Sequence, residues 1–192
     1  MKHSADPEKI ARLQNEANIL NLVAHHNIVE VLDTSWYGGA GEIEMAFNTG
    51  TPLSESVPEL EKLPAILASL AATIAHLHRR QVIHQAITPD HVLITRDHRP
   101  ILCGFGSAER INPSDTRLAE DINQLGRLVE FAYESHNANT PQISIPLEIK
   151  SLIENSSNPS IYYRPNALEF ASALQDVARK NVALRSEAPS RK

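Results

Sequence analysis

Two neighbouring stretches decide the fold of this chain: HQAITPDHVLI at residues 84–94 and LCGFG at residues 102–106. The mostly apolar runs Val92–Thr95 and Pro100–Cys103 flank the polar run Arg96-Asp97-His98-Arg99. Two short apolar runs separated by a polar turn are typical of a small hairpin. We therefore expect a loop, a hairpin and a glycine-containing turn in close succession.

The chain before these stretches has the pattern of a helix, two strands and a second helix. Asp6-Pro7-Glu8 combines an N-cap carboxylate, a proline at the first helical position and an acid in the first turn. Branched residues at 28–32 predict a strand, and the glycines at 38–41 predict a turn into a second strand at 42–47. A long helix is expected from Leu63, and further helices in the C-terminal half.

Composition excludes several classes of function. The 192 residues carry a formal net charge of −5 and contain no basic cluster, so no nucleic-acid partner is expected. No apolar window is long enough to span a membrane, and no signal peptide is visible. Cys103 is the single cysteine, which is typical of a protein of the reducing cytoplasm. We predict one domain at residues 1–178 and a polar tail at 179–192.

The two deciding stretches resemble the catalytic loop of protein kinases, H-R-D-L-x-P-x-N-V-L-I, and their D-F-G motif. The predicted elements also follow the order of protein kinases from the αC helix onward, as far as about Ala178. Several such motifs in order are far more specific than one alone. The resemblance implies an α+β, protein-kinase-like fold with a mostly helical C-lobe and a reduced N-lobe, made of the αC helix and the family's fourth and fifth strands.

The resemblance also assigns structural roles to individual positions. These are Glu16 (the acid of the αC helix), Leu20, Val31, His84 and Phe105 (a stack of side chains joining the lobes), Leu93 (beneath an adenine ring), Asp121 (the anchor of the catalytic loop) and Arg164 (the arginine before the last helix). Met45 matches the gatekeeper position at the back of the nucleotide cleft. The framework of the family is therefore expected to be present.

The departures from the kinase pattern fall on the groups that transfer phosphate. Ala86 replaces the catalytic aspartate, while His91 and Gly104 replace the asparagine and the aspartate that hold magnesium. We also expect the strands before the αC helix to be missing, so that Glu16 has no lysine partner. A general base contributes roughly 10²- to 10⁴-fold in rate, and Ala86 cannot supply one. We therefore expect a chain that is not an enzyme, has no cofactor or metal and does not bind ATP.

Three hypotheses for function remain open. The first is a catalytically inactive, kinase-like scaffold that binds another protein through the αC helix and the hairpin after it, unless the chain's own N-terminus covers that surface. The residues expected at this interface are Trp36, Tyr37, Met45 and Phe47. The second is a residual nucleotide-binding or nucleotide-transferring enzyme that uses Asp90 or Glu109. The third is one part of a split kinase whose upper strands come from another chain.

Overall fold

A computed structural model describes residues 1–46, 49–112, 114–139 and 145–186 of this chain. Its strands are β1 Lys2–Ser4, β2 Val31–Tyr37, β3 Ala40–Met45, β4 Thr51–Pro52, β5 Val82–Ile83, β6 Val92–Ile94, β7 Pro100–Leu102 and β8 Glu109–Arg110. Its α-helices are α1 Pro7–Leu22, α2 Leu63–Arg79, α3 Leu118–Asn139, α4 Leu147–Ser156 and α5 Ala167–Ser186. Short 3-10 helices lie at Pro89–His91, Phe105–Ser107 and Ile161–Tyr163.

The N-terminal lobe consists of α1 packed on the antiparallel sheet β1-β3-β2. Helix α1 begins where the Asp6 carboxylate accepts a hydrogen bond from the Glu8 N–H at 3.0 Å. Gly38 and Gly39 have φ values of +57° and +80°, which allow the tight turn between β2 and β3. The small core between helix and sheet contains Leu13, Ala17 and Ile43.

The C-terminal lobe is built around α2. Buried residues occur on most faces of this helix, because α5, α3 and strand β7 all pack against it. Helix α4 packs against α3 and α5. The hairpin β6–β7 begins within the last residues of the stretch 84–94, and its strand β6 pairs with the short strand β4. One main apolar core runs from α1 through α2 and α3 to α5.

The segment between α1 and β2 ties the two lobes together. Leu102 of β7 donates its N–H to the Asn27 carbonyl at 2.8 Å and accepts from the Val29 N–H at 3.0 Å. The predicted start of this strand, residue 28, is therefore wrong, because β2 begins at Val31. The backbone of residues 27–29 bonds to β7 of the other lobe instead.

The expected α+β, kinase-like fold is confirmed by this arrangement, with four short strands, β1, β4, β5 and β8, that the sequence pattern did not predict. The predicted hairpin at 92–103 is present as β6 and β7. Helix α5 extends to Ser186, beyond the predicted start of the polar tail at residue 179. The division into a domain at 1–178 and a tail at 179–192 stays a prediction.

Gly126 of α3 lies in close contact with α4, and we predict a large cost for Gly126→Ala. A Cβ at this position would lie 1.8 Å from Ser156 Oγ and 2.7 Å from Ser156 Cβ, so the two helices would have to move apart. The expected loss is about 1–3 kcal/mol of unfolding free energy, despite the better helix propensity of alanine. Thermal unfolding should show a melting temperature lower by several degrees.

Gly106→Ala is the matched control, because a Cβ there meets only Glu16 Oε2, at 4.0 Å. Its melting temperature should stay within about 2 °C of the wild type. Equal effects of the two substitutions would contradict the close approach of α3 and α4.

Candidate functional site

Asp121, in the first turn of α3, holds the catalytic-loop stretch through its carboxylate. Its Oδ2 accepts the His84 N–H at 2.9 Å and its Oδ1 accepts the Gln85 N–H at 2.8 Å. His78 Nε2 lies 3.0 Å from the same Oδ2. The Asp121 side chain is completely buried, so these donors replace the water that an ionised carboxylate would otherwise need.

Gln124 is a second clamp on this loop, which the sequence analysis missed. Its Oε1 accepts the Ile87 N–H at 2.8 Å, and its Nε2 donates to the Gln85 carbonyl at 3.2 Å. Gln85 itself has a φ of +62°, so the backbone turns sharply between the two bonds. The signal that could have identified Gln124 is its position three residues after Asp121, on the same face of α3.

His84 is a buried, neutral histidine that links the loop to β7. Its Nε2–H donates to the Cys103 carbonyl at 3.0 Å, and its Nδ1 accepts the Ala86 N–H at 3.2 Å. Burial lowers the pKa of His84 to about 4, and the nearby Asp121 carboxylate opposes this only in part. Both ring nitrogens are therefore used for structure in the neutral form.

The side chains expected to stack across the lobes are brought together. The rings of His84 and Phe105 meet edge to face, with centroids 4.6 Å apart. Leu20 of α1 and Phe105 are buried in the same core, and Val31 of β2 packs against it. Helix α1 thus contacts the short 3-10 helix Phe105–Ser107 that follows β7.

The three positions that differ from kinases contact one another. His91 Nδ1 donates to the Ala86 carbonyl at 2.8 Å. Gly104 has a φ of +80°, and a Cβ there would lie 2.5 Å from the His91 ring. The imidazole of His91 therefore fills the space that a side chain at position 104 would require.

These positions do not fit a magnesium ion of the kind that protein kinases bind. Magnesium takes oxygen ligands in a near-octahedral shell. Ala86 offers a methyl group, Gly104 has no side chain, and His91 uses Nδ1 as a donor to a carbonyl. Within the described parts of the chain, no group of three or more His, Cys, Asp or Glu side chains is placed to hold a metal ion.

Lys2 of β1 forms an ion pair with Glu16 of α1, with Nζ 2.5 Å from Oε1. Strand β1 pairs with β3 in the register Lys2↔Ile43, which places the lysine beside the helix. The expectation that Glu16 lacks a lysine partner is therefore wrong. Only 3% of the Glu16 side chain is exposed, so the carboxylate depends on this cation. A strand of three residues is too short to show a period of two, and the sequence analysis missed it for that reason.

We predict that Lys2→Met destabilises the protein more than its position near the N-terminus suggests. The substitution leaves the Glu16 carboxylate buried without its cation. Removing one partner of a fully buried ion pair costs about 3–5 kcal/mol of unfolding free energy. Because the Lys2 side chain is 42% exposed, water screens this pair, and we expect a smaller loss of about 1–2 kcal/mol. The melting temperature should fall by several degrees.

Two comparisons test this interpretation of the buried pair. Lys2→Met/Glu16→Gln should recover part of the loss, since no unpaired charge remains. Lys180→Met removes a cation from a fully exposed pair with Glu148 and should leave the melting temperature almost unchanged. Equal losses from Lys2→Met and Lys180→Met would refute the importance of the buried carboxylate.

A cleft of about 580 Å³ lies between β1, β3 and the β6–β7 hairpin, beside the Lys2–Glu16 pair. It is bordered by Lys2, Met45, His91, Leu93 and Gly104, among others. The predicted gatekeeper and adenine-contact positions therefore face the same space as the lysine. Cys103 also borders this cleft, and burial raises the pKa of its thiol, so the thiolate is disfavoured.

The two carboxylates considered as substitute catalytic groups have other partners. Asp90 Oδ1 accepts a hydrogen bond from the Ser54 hydroxyl at 2.6 Å. Glu109 lies on β8, where Arg117 Nη1 is 2.7 Å from its Oε2. The hydrogen bond from Arg117 lowers the pKa of Glu109. Neither carboxylate borders the cleft beside Lys2.

The residues expected at a protein interface have different exposures. Trp36 is half-buried, because its ring lies over Gly41, where a Cβ would be 2.6 Å away. Met45 is also half-buried, whereas Tyr37 is 82% exposed. Phe47 lies outside the described residues. Part of the expected patch is thus covered by α1 and β1 of the same chain.

Arg164, before α5, makes its bonds to backbone oxygens. Its Nε donates to the Asn158 carbonyl at 2.9 Å and its Nη1 to the Ala119 carbonyl at 2.8 Å. The nearest carboxylate is that of Glu120, 3.9 Å from Nη1. The arginine therefore joins the start of α3 to the segment before α5.

The assembled stack, the clamped loop and the lysine–glutamate pair define a protein-kinase-like domain, and comparisons with known proteins agree. Residues 1–126 match the family model described as protein kinase domain. The serine/threonine-protein kinase cds1 of Schizosaccharomyces pombe is 28% identical over 142 residues, which are 71% of this chain and 31% of that protein. Human serine/threonine-protein kinase ULK3 is 28% identical over 60% of this chain and 26% of its own length. Mouse serine/threonine-protein kinase PAK 4 is 30% identical over 52% of this chain and 18% of its own length.

The chain belongs to the protein kinase family. It spans about a third or less of the length of these three curated relatives. Residues 67–187 also match a family model described as transcription factor subunit Med10 of the Mediator complex. That range includes the clamped loop and the Gly104 turn.

The comparisons correct one expectation. The prediction that this chain is not an enzyme is wrong, because the relatives that it matches are named serine/threonine-protein kinases. Of the helices in the described ranges, none is both long and apolar enough to cross a membrane.

Proposed function

We propose that this protein-kinase domain acts as a regulatory scaffold that binds another protein. The observation that supports the proposal most is the contact between His91 and Gly104, which fills the family's magnesium position with an imidazole ring. Around it, the inter-lobe stack and the Asp121 clamp keep the shape of the domain. We assign the protein to the cytoplasm, because its one cysteine, Cys103, is free.

The surface we propose for the partner is the outer strand β2 of the N-terminal lobe. Leu32 and Tyr37 on this strand are 56% and 82% exposed, and we call these two residues the β2 patch. Strand β2 is at one edge of the sheet β1-β3-β2, so its backbone is also available for pairing. Exposed apolar side chains on an edge strand are typical of an interaction site.

Affinity capture from native cells tests the scaffold, with Leu32→Glu/Tyr37→Glu as the variant. We expect the wild type to retain a reproducible partner and the variant to lose it. Leu147→Glu/Val182→Glu is the matched control, since both residues are exposed apolar side chains elsewhere, at 75% and 70%. A partner that remains bound to the β2 variant, or that is lost equally from the control, would refute this surface.

A second candidate function is nucleotide binding or transfer, and the Lys2–Glu16 pair favours it. The cleft beside this pair has the gatekeeper and adenine-contact positions on its border. In kinases the corresponding lysine contacts the α- and β-phosphates, which requires a cation but no metal at that point. A nucleotide bound here would depend on Lys2 rather than on magnesium.

A thermal-shift titration with ATP, in EDTA and in magnesium, tests this second candidate. Binding predicts a rise in melting temperature in EDTA that Lys2→Met abolishes, because a ligand at 100 times its Kd stabilises by about 2.7 kcal/mol. Transfer of label from γ-labelled ATP, lost in Lys2→Met, would make transfer the primary function. If millimolar ATP does not raise the melting temperature, the nucleotide-binding candidate is refuted and the scaffold is the remaining proposed function.

A further inference from the structure

A groove of about 460 Å³ lies in the C-terminal lobe, where the end of α2 meets the starts of α3 and α5. We call it the end groove; its borders include Ala75, Arg79, Leu118, Ile122, Arg164 and Leu168. Most of the exposed lining is apolar, and Leu168 is 61% exposed at its edge. The end groove shares no lining residue with the nucleotide cleft and includes no residue of the β2 patch.

Two arginines, Arg79 and Arg164, contribute the charged side chains that line the end groove. Arg79 is an exposed cation at the rim, and Arg164 is held rigidly by bonds to two carbonyls, with 14% of its side chain exposed. The N-termini of α3 and α5 both border the groove and add partial positive charge. Among the described lining residues, none is acidic, but two carboxylates adjoin them. Glu120 lies 3.9 Å from Arg164, and Glu169 accepts the Asn166 N–H at 2.9 Å, so Arg79 is the cation at the rim on which a partner carboxylate depends most.

This combination identifies the chemistry of an occupant. The chain as a whole carries a formal net charge of −5, so an acidic segment is repelled by most of the surface and attracted only locally. An apolar side chain next to a carboxylate matches both the apolar floor and the cationic rim of the end groove. A basic or purely polar segment matches neither.

We propose that the end groove docks a segment of a partner protein in which one or two large apolar side chains adjoin an acidic residue. The apolar side chain packs on Leu118, Ile122 and Leu168, and the carboxylate pairs with Arg79. The inference is independent of the proposed scaffold surface, because no residue of the β2 patch takes part in it.

Selection from a displayed library of random 12-residue peptides tests the proposal on the full chain. We expect the enriched peptides to share an acidic residue within four positions of a Leu, Ile, Phe or Trp. In fluorescence anisotropy, Arg79→Glu should weaken their binding about tenfold or more. Replacing the peptide's acidic residue by lysine should restore binding to Arg79→Glu and not to the wild type.

Matched variants separate docking from changes in folding. Leu168→Glu should abolish binding, while Val182→Glu, an exposed apolar residue later on the same helix, should not. Arg179→Glu, an exposed arginine on α5, controls for the loss of one positive charge. Thermal unfolding should show that all four variants remain folded.

Three outcomes would overturn the proposal. The selection could enrich no acidic–apolar motif, or the selected peptides could bind Arg79→Glu and Leu168→Glu as well as they bind the wild type. The wild type could also form a dimer in sedimentation velocity that Leu168→Glu dissociates, which would assign the end groove to a second copy of this chain.

Discussion

Asp121→Ala is expected to cause the largest loss of stability of any single substitution at the site. The carboxylate is completely buried. It accepts hydrogen bonds from two backbone N–H groups of the loop and lies 3.0 Å from His78 Nε2. Its removal leaves the His84 and Gln85 donors without an acceptor in a buried site. The expected cost is about 3–5 kcal/mol of unfolding free energy, since each unsatisfied buried donor costs about 1–3 kcal/mol.

Two measurements check this expectation. The melting temperature should fall by about 6–20 °C, and hydrogen exchange should become faster at the amides of residues 84 and 85. Asp176→Ala, which removes an exposed carboxylate from α5, should change the melting temperature by less than about 2 °C. Unchanged protection of the two loop amides in Asp121→Ala would show that other contacts hold the loop.

Gly104→Asp, which introduces the aspartate found in kinases, is expected to destabilise this chain rather than restore a metal site. A Cβ at position 104 meets the His91 ring at 2.5 Å, and the backbone has a φ of +80°. Overpacking costs about 1–3 kcal/mol, and the left-handed backbone adds about 1–2 kcal/mol for a residue with a Cβ.

Gly39→Asp separates these two costs. Gly39 has the same φ of +80°, and nothing lies within 4 Å of a Cβ there. It should therefore show the backbone cost alone, about 1–2 kcal/mol. The difference between Gly104→Asp and Gly39→Asp then measures the overlap with His91. No difference would mean that His91 moves away without cost.

His91→Asn/Gly104→Asp should be more stable than Gly104→Asp, because the shorter asparagine leaves room for the aspartate. We expect a coupling free energy of about 1–2 kcal/mol in the double-mutant cycle. The double variant also regains two oxygen ligands, so an ATP analogue should raise its melting temperature more in magnesium than in EDTA. The wild type should show no such magnesium-dependent increase. Additive single effects would indicate that positions 91 and 104 are independent.

The amino-acid sequence alone determined the class of fold and the identity of the replaced groups. The loop at 84–94 and the turn at 102–106 are continuous in the chain, and their residue types can be compared directly with the kinase motifs. The anchoring role of Asp121 followed from the same resemblance. Local motifs with fixed spacing are predictable because neighbouring positions along the chain remain neighbours in the folded protein.

Only the tertiary structure decided which distant groups meet. Lys2 pairs with Glu16 because β1 adds to the edge of β3, and a strand of three residues has no readable period. Trp36 is half-buried because α1 packs on the sheet and Gly41 lets the ring approach the backbone. His91 fills the space at Gly104 because the hairpin β6–β7 brings the two positions into contact. Each of these contacts depends on strand pairing and packing between separate elements, and such contacts are not encoded in any local pattern.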